Sequence, residues 1–197
     1  SLATTDELGR LLAEAQSTAM LARGLTEQLL TFARGGEPVR KITSISSVIK
    51  ESIRPALSGS EVRCDISMAD DLWLTEIDSN QIGRVLRNLL LNAREALPQG
   101  GVVSISAENV VLTAAGKSRL RPGSYVRISV VDQGGGIAPD VLPRIFDPYF
   151  SNKQRGTEKG MGLGLAICHA IVEKHGGTID VHSEVGVGTT VHLHLPA

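Results

Sequence analysis

The stretch DQGGGIAPDVLPRIFDPYFSNKQRGTEKGMGLGLAI, from Asp132 to Ile167, contains seven of the chain's 21 glycines. Glycine loses more conformational freedom on folding than any other residue and brings no side chain to pack, so this density needs a reason. Bare backbone amides beside an apolar strand and at a helix start are suited to close contact with a phosphate or a flat ring. The stretch therefore predicts a ligand site rather than a plain connection.

Composition limits what the remainder of the chain does. The 197 residues are 42% hydrophobic and 21% charged, and the formal net charge is −1. This length suits one good-sized domain or a domain with an accessory element, and the charge predicts no general affinity for nucleic acid or anionic membranes. Without a run of about twenty apolar residues, we expect a soluble, cytoplasmic protein. Its two cysteines, Cys64 and Cys168, are expected to be free, buried thiols.

The first segment, residues 5–34, is predicted to be one long helix that Gly35, Gly36 and Pro38 end. Its steps of three and four residues are typical of a helix in a bundle, at Leu8, Leu11, Ala15, Thr18, Ala22, Leu25, Leu29 and Phe32. We expect residues 1–36 to form this helical element and residues 37–197 to form a separate domain. So apolar a stripe should either self-associate through residues 8–32 or pack against that domain.

Residues 37–197 alternate between helical and strand patterns, which predicts an α/β fold. Helices are predicted near residues 46–57, over 78–98 and over 165–174, and strands over 61–68, 73–77, 102–112, 125–131, 178–183 and 189–195. Asp78, with Gln81 three residues later, predicts a capping box at the start of the second of these helices.

One face of that second helix is polar. Steps of four, four and three place these side chains in a row: Arg84, Asn88, Asn92 and Glu95. Asparagine is a poor helix former, so two of them in mid-helix are unusual for a solvated face. An Asn carbonyl oxygen is a good Mg²⁺ ligand when phosphates already supply the negative charge. The row suits either an ordinary solvent-facing helix or a set of ligands.

The first glycine cluster follows an alternating apolar strand that ends at Asp132. This position places a carboxylate at the mouth of the sheet, where it would accept a hydrogen bond from an amino group. A surface turn is the ordinary alternative for an Asp before glycines.

The second glycine cluster, Gly160, Gly162 and Gly164, leads directly into an apolar helix, and bare amides at a helix start suit phosphate. Its spacing matches neither the P-loop nor the dinucleotide fingerprint. The preceding Lys153, Arg155 and Lys159 would either fold over a triphosphate or form a solvated charged loop.

Taken together, these segments resemble the ATP-binding domain of sensor histidine kinases, in the superfamily that includes gyrase and the mismatch-repair ATPases. The matching motifs are NLLLNAREAL from Asn88 (N box), DQGGGI from Asp132 (first glycine box), IFDPYFSNK from Ile145 (F box), GMGLGLAI from Gly160 (second glycine box) and GVGTT from Gly186. The resemblance runs from about Pro38 to the end and implies a two-layer α/β sandwich of the Bergerat type. The preceding long helix resembles the second helix of the family's dimerisation and phosphoacceptor hairpin.

The resemblance implies ATP and Mg²⁺ as ligands. Asn92 would bind the metal with support from Asn88, and Asp132 would accept a hydrogen bond from the adenine amino group. The other implied nucleotide-binding positions are Gly134, Gly136, Lys153, Gly160, Gly162, Leu163, Gly164 and, through water, Thr189, while the rings of Phe146, Tyr149 and Phe150 would anchor the lid over the site.

The residue type at position 88 distinguishes kinases of this superfamily from its ATP-hydrolysing members. In the water-splitting ATPases, the place one helical turn before the metal asparagine carries a glutamate that activates water, and an amide cannot remove that proton. Phosphoryl transfer to a protein is therefore favoured over hydrolysis. Glu95 has either a direct catalytic role or a place in packing or a surface ion pair.

The expected function is that of a sensor histidine kinase fragment that phosphorylates a histidine and supplies a response regulator. No histidine precedes His169, so we expect the acceptor helix, and any membrane attachment, to belong to a longer receptor. A homodimer through the N-terminal helix is expected. The alternatives are a serine kinase of the anti-sigma-factor type and a non-catalytic nucleotide-binding dimerisation module. A metal site at His192 and His194 is disfavoured.

Overall fold

The computed structural model describes Gly9 and residues 37–113, 120–150 and 162–197. The chain divides into two compact units, Ser1–Glu37 and Pro38–Ala197. Apart from Gly9, which is helical, the helix predicted over residues 5–34 lies outside the described residues. In the described parts, no helix is both long enough and apolar enough to cross a membrane.

The second unit is built from helices and strands close to those predicted. Its helices are α1 (Ile45–Leu57), α2 (Ser79–Glu95) and α3 (Gly164–Lys174). Its strands are β1 (Lys41–Thr43), β2 (Val62–Met68), β3 (Thr75–Ile77), β4 (Gly101–Leu112), β5 (Gly123–Asp132), β6 (Thr178–Glu184) and β7 (Gly188–Pro196). The sequence pattern did not predict β1 or the 3-10 turn Leu142–Arg144, because three residues carry too little periodicity.

Five strands form the main sheet in the order β2-β4-β5-β7-β6, and β1 pairs with β3 separately. The β2–β4 pair is parallel and the others in the main sheet are antiparallel. Parallel neighbours need a crossover connection, and here the crossover contains β3 and α2. It brings α2 against β4 and β5.

Alternation along the central strands separates the two faces of the sheet. The inward residues are buried and apolar, namely Val103, Ile105 and Ala107 of β4, Val126, Ile128 and Val130 of β5, and Val191, Leu193 and Leu195 of β7. The outer face carries polar pairs such as Glu108 and Arg127, whose ion pair measures 2.8 Å. Because the helices cover only the apolar face, the predicted two-layer α/β sandwich is confirmed.

The start of α2 shows a variation on the predicted capping box. The Asp78 carboxylate accepts hydrogen bonds from Asn80 N at 3.0 Å and Gln81 N at 3.2 Å, so Asp78 is the N-cap. In a capping box, the backbone N–H of Asp78 would donate to the side chain of Gln81. Here it donates instead to Nε2 of His175 at 3.1 Å. Burial lowers the pKa of His175, which keeps Nε2 free to accept. The end of α3 is thereby joined to the start of α2.

Both cysteines are free thiols, as predicted, but only Cys168 is fully buried. Cys64 is half-buried because β2, which carries it, is an edge strand of the main sheet. The prediction of burial is therefore wrong for Cys64.

Candidate functional site

Asp132 lies at the end of β5, and the residue as a whole is only 9% exposed. Its Oδ1 accepts a hydrogen bond from Gly134 N at 2.9 Å, and the carboxylate is also hydrogen-bonded by the backbone of Thr189, its partner on β7. Burial raises the pKa of Asp132 more than these two bonds lower it. An ionised carboxylate accepts about four hydrogen bonds, so this one retains capacity for a donor from a ligand.

Gly134 places the Asp132 loop directly against the end of α2. A Cβ built on Gly134 would lie 2.6 Å from Ala96 Cβ and 2.7 Å from Ala96 O, so only glycine fits there. Ala96 is the C-cap of α2, and its N–H donates to the carbonyl oxygen of Asn92 at 3.0 Å. The loop of the buried acid therefore adjoins the helical turn that carries Asn92.

The same glycine loop, residues 134–136, packs closely against the turn between β6 and β7. Gly136 has a φ of +70°, and a Cβ there would lie 2.1 Å from Glu184 O. Gly188 approaches the strand end as closely, because its Cβ would lie 2.1 Å from Asp132 O. Gly186 N donates to Gly135 O at 2.9 Å and joins the two segments.

Ser183, which the sequence analysis did not single out, connects Thr189 to the glycine loop. Its Oγ accepts from Ile137 N at 2.8 Å, donates to Gly188 O at 2.9 Å and lies 2.9 Å from Thr189 Oγ1. A serine at an inter-strand position carries no recognisable motif, so only the register of β6 with β7 could have indicated this role.

Substitution of adjacent glycines tests this close packing. Gly136→Ala should destabilise the domain by about 2–4 kcal/mol and weaken nucleotide binding, because alanine strains a positive φ and meets Glu184 O. Gly135→Ala is the matched control, since its Cβ would meet nothing within 4 Å. Urea unfolding measures both variants. Equal free energies of unfolding for the two would contradict the packing described.

Near α3, the second glycine segment crosses the end of the F box. Gly162 has a φ of +65°, and its Cβ would lie 2.3 Å from Phe150 O and 2.5 Å from the carbonyl carbon of Tyr149. The guanidinium of Arg144 lies 4.5 Å from the centre of the Phe150 ring. Contact between the two segments is thus made by backbone, which explains the need for glycine at 162.

Two of the three F-box rings have side-chain partners among the described residues. The ring of Phe146 lies 5.1 Å from that of His169 on α3, and Phe150 has its contact with Arg144. Tyr149 is 67% exposed, and the prediction that the three rings anchor the lid remains a prediction, because residues 151–161 lie outside the described residues. Tyr149 meets Gly162 through its backbone.

The start of α3 has no side-chain cap. The residue preceding the helix, Leu163, is buried and provides no side-chain cap for the first amides. The carbonyl oxygen of Gly164 and Sγ of Cys168 face the polar row of α2, where Nδ2 of Asn88 donates to them at 3.5 Å and 3.7 Å. Uncapped amides at a helix N-terminus are suited to phosphate.

Asn92 and Glu95 continue the polar row of α2 and are exposed, and their predicted roles remain predictions. The described ranges contain no group of three or more His, Cys, Asp or Glu able to hold a metal, and this includes the region of His192 and His194. Mg²⁺ accepts one or two protein oxygens when phosphates complete its coordination. The neutral amide oxygen of Asn92 fits that shared arrangement.

The structure thus joins six of the twelve predicted site residues in two groups. Asp132, Gly134, Gly136 and Thr189 meet around the end of β5, and Asn88 meets Gly164 between α2 and α3. Gly134 connects the first group to α2. Lys153 and Gly160, which the resemblance places in or beside the lid, lie outside the described residues.

A two-layer domain with a buried acid and uncapped helix amides has features that suit a nucleotide-binding domain. Residues 77–197 match the family model described as Histidine kinase-, DNA gyrase B-, and HSP90-like ATPase, so the chain belongs to this ATP-binding family. The predicted family and the predicted α/β fold are confirmed, whereas the long helix predicted before this domain stays a prediction.

Several relatives are sensor kinases. The chain is 36% identical over 186 residues to Sensor kinase CckA of Brucella abortus, covering 92% of this chain and 20% of that protein. It is 36% identical over 175 residues to Sensor histidine kinase ZraS of Escherichia coli K12, covering 87% of this chain and 34% of that protein. Its fold is similar to the mycobacterial sensor histidine kinase MprB, with a TM-score of 0.64 and 28% identity over 80% of this chain and 97% of that chain. The chain therefore spans about a fifth of the length of the Brucella CckA protein and about a third of the length of the Escherichia coli ZraS protein.

Proposed function

We propose that this chain is the catalytic part of a sensor histidine kinase. It binds Mg·ATP, transfers the γ-phosphoryl group to a histidine of an acceptor helix, and so supplies phosphate for an aspartate of a response regulator. The observation that carries the proposal is the contact of the Asp132 loop with the end of α2 through Gly134 and Ala96. This contact brings an acceptor for a purine amino group next to the turn that carries Asn92.

Adenine selection follows from the chemistry of Asp132. Two backbone N–H groups hold the carboxylate, and its remaining acceptor capacity suits the adenine amino group. Guanine carries a carbonyl oxygen at that ring position, and this oxygen would face the carboxylate without a proton between them. Gly134 and Gly136 keep side chains away from the base, and Thr189 would contribute through water.

The phosphates are assigned to the polar row of α2, at Asn88 and Asn92, and to the start of α3. Mg²⁺, when bound, would neutralise phosphate charge and orient the γ-phosphoryl group for transfer. Asn92 would hold it with support from Asn88, and the amides from Gly162 through Gly164 would donate to phosphate oxygens. Lys153 and Gly160 would contribute from the lid.

Transfer to histidine suits a site without a strong base. Asn88 cannot take a proton from water, whereas a histidine acceptor attacks with its own nitrogen lone pair. The domain then contributes positioning and charge neutralisation, which carry most of phosphoryl-transfer catalysis. ATP is available inside the cell, so the proposed kinase works on the cytoplasmic side. It would act as a homodimer that forms through the helix of residues 1–36.

Adding an acceptor in trans tests the proposal. The purified chain, radiolabelled ATP and Mg²⁺ are mixed with a hairpin peptide that completes the dimerisation helices and carries the acceptor histidine, with a His-to-Ala peptide as the control. Label is expected on the histidine peptide alone, and it should be labile to acid. Acid-stable label would identify a serine kinase of the anti-sigma-factor type instead. Nucleotide binding without any transfer would indicate a non-catalytic dimerisation module.

A further inference from the structure

Cys168 lies directly behind Asn88, between α2 and α3. Its side chain is fully buried, its Sγ accepts from Nδ2 of Asn88 at 3.7 Å, and its S–H donates to the carbonyl oxygen of Val85 at 3.8 Å. Burial raises the pKa of Cys168 to about 12, so the group stays a thiol. A thiol donates and accepts weakly at the same time, so one sulfur bridges two positions of α2.

These contacts determine which way the Asn88 carboxamide points. Nδ2 carries two N–H donors, and its two partners, Gly164 O and Cys168 Sγ, both lie on α3. The opposite orientation would put Oδ1 against the Gly164 carbonyl oxygen, where no proton is available to join the two acceptors. The partners therefore select one orientation of an otherwise symmetric-looking amide.

We propose that Cys168 is a positioning residue that, together with the Gly164 carbonyl, holds Nδ2 of Asn88 toward α3 and leaves Oδ1 for the phosphate side of the site. The role of Oδ1 at the phosphates rests on the proposed function. The orientation of the Asn88 amide does not depend on it. Because Gly164 opens the helix that follows the second glycine segment, the arrangement also ties Asn88 to the position of that segment.

A cysteine that merely fills space would behave differently from one that positions Asn88. Cys168→Ala removes both the donor and the acceptor, leaving Nδ2 with the Gly164 contact at 3.5 Å. Cys168→Ser keeps a group that donates and accepts at the same place. Ile171→Val is the control, because it removes one methyl group from the buried face of the same helix.

The first measurement is the side-chain amide NMR signal of Asn88 in the protein without nucleotide, assigned by its loss in Asn88→Ala. Cys168→Ala should shift this signal and speed its hydrogen exchange by about fivefold or more. Cys168→Ser should largely retain the wild-type signal, and Ile171→Val should leave it unchanged. An unchanged signal in Cys168→Ala would overturn the proposal, whatever the outcome for kinase activity.

The second measurement is a double-mutant cycle on phosphoryl transfer to the hairpin peptide. Cys168→Ala should lower the transfer rate about 5- to 10-fold while the Kd for Mg·ATP stays within about twofold, and Cys168→Ser should restore most of the rate. In an Asn88→Ala background, Cys168→Ala should have no further effect. An equal loss in both backgrounds would overturn the positioning role. A wild-type chain without transfer would contradict the proposed function alone, since the NMR result stands apart from it.

Discussion

Asp132→Asn is expected to weaken ATP binding by about 30- to 100-fold, the effect of one lost charge-assisted hydrogen bond in a buried site. The carboxylate accepts from the backbone of Gly134 and of Thr189 and would accept from adenine as well. An asparagine amide has one oxygen and one NH₂ group, so at least one of these donors would face another donor. Calorimetry with a non-hydrolysable ATP analogue and Mg²⁺ measures the change, and selectivity over the GTP analogue should fall with it.

The same substitution should stabilise the protein without nucleotide. Burial raises the pKa of Asp132, so the folded state disfavours the ionised form. Stability linked to this group is therefore complete below the ordinary Asp pKa of about 3.9 and is lost as the pH rises through the raised pKa. The amide that replaces the carboxylate is neutral at every pH, so the melting temperature of the variant should exceed that of the wild type at neutral pH. The difference should shrink as the pH approaches about 4.

The exposed carboxylate of Asp140, in the segment that follows the glycine loop, provides the matched control. Asp140→Asn makes the same change of charge and should alter neither ATP affinity nor the melting temperature measurably. If Asp132→Asn binds the ATP analogue as tightly as the wild type does, Asp132 does not recognise adenine. If it also melts below the wild type at neutral pH, the carboxylate contributes structure rather than recognition.

Periodicity in the sequence predicted the parts of this fold that bury whole faces. The apolar stripe of α2 repeats over several helical turns, and the alternation in β4, β5 and β7 repeats over several residue pairs. A single residue that departs from the pattern therefore does not hide the periodicity. The glycine clusters predicted close backbone approaches, and Gly136 and Gly162 show them. Short elements such as β1 were missed because they are specified by their pairing with β3 and not by their own residues.

Contacts between distant segments could not be predicted in the same way. Ser183, Ala96 and Cys168 belong to the surroundings of the candidate site only because the sheet register and the packing of α2 on α3 bring them there. His175 takes the Asp78 amide that local sequence had assigned to Gln81, since a ring from a neighbouring helix is within reach. In such cases the local sequence identifies the hydrogen-bond donor, whereas tertiary packing determines which acceptor it binds.

Asn92→Ala is expected to remove the Mg²⁺-dependent part of ATP affinity and to slow phosphoryl transfer by about 10²- to 10³-fold. Binding is measured with Mg²⁺ and with EDTA. The ratio of the two Kd values should be well above one for the wild type and close to one for the variant.

Exposure of Asn92 makes this experiment a clean test of the metal role. Its side chain is exposed on α2, so alanine, a better helix former, should leave the melting temperature within about 2 °C of the wild type. Asn80→Ala is the control, because Asn80 is also an exposed asparagine of α2 but lies in its first turn. Both variants should fold equally well, and only Asn92→Ala should lose the response to Mg²⁺. A variant at residue 92 that keeps the full wild-type ratio of Kd values would show that Mg²⁺ is held through the nucleotide and other residues, and the assignment of Asn92 would be wrong.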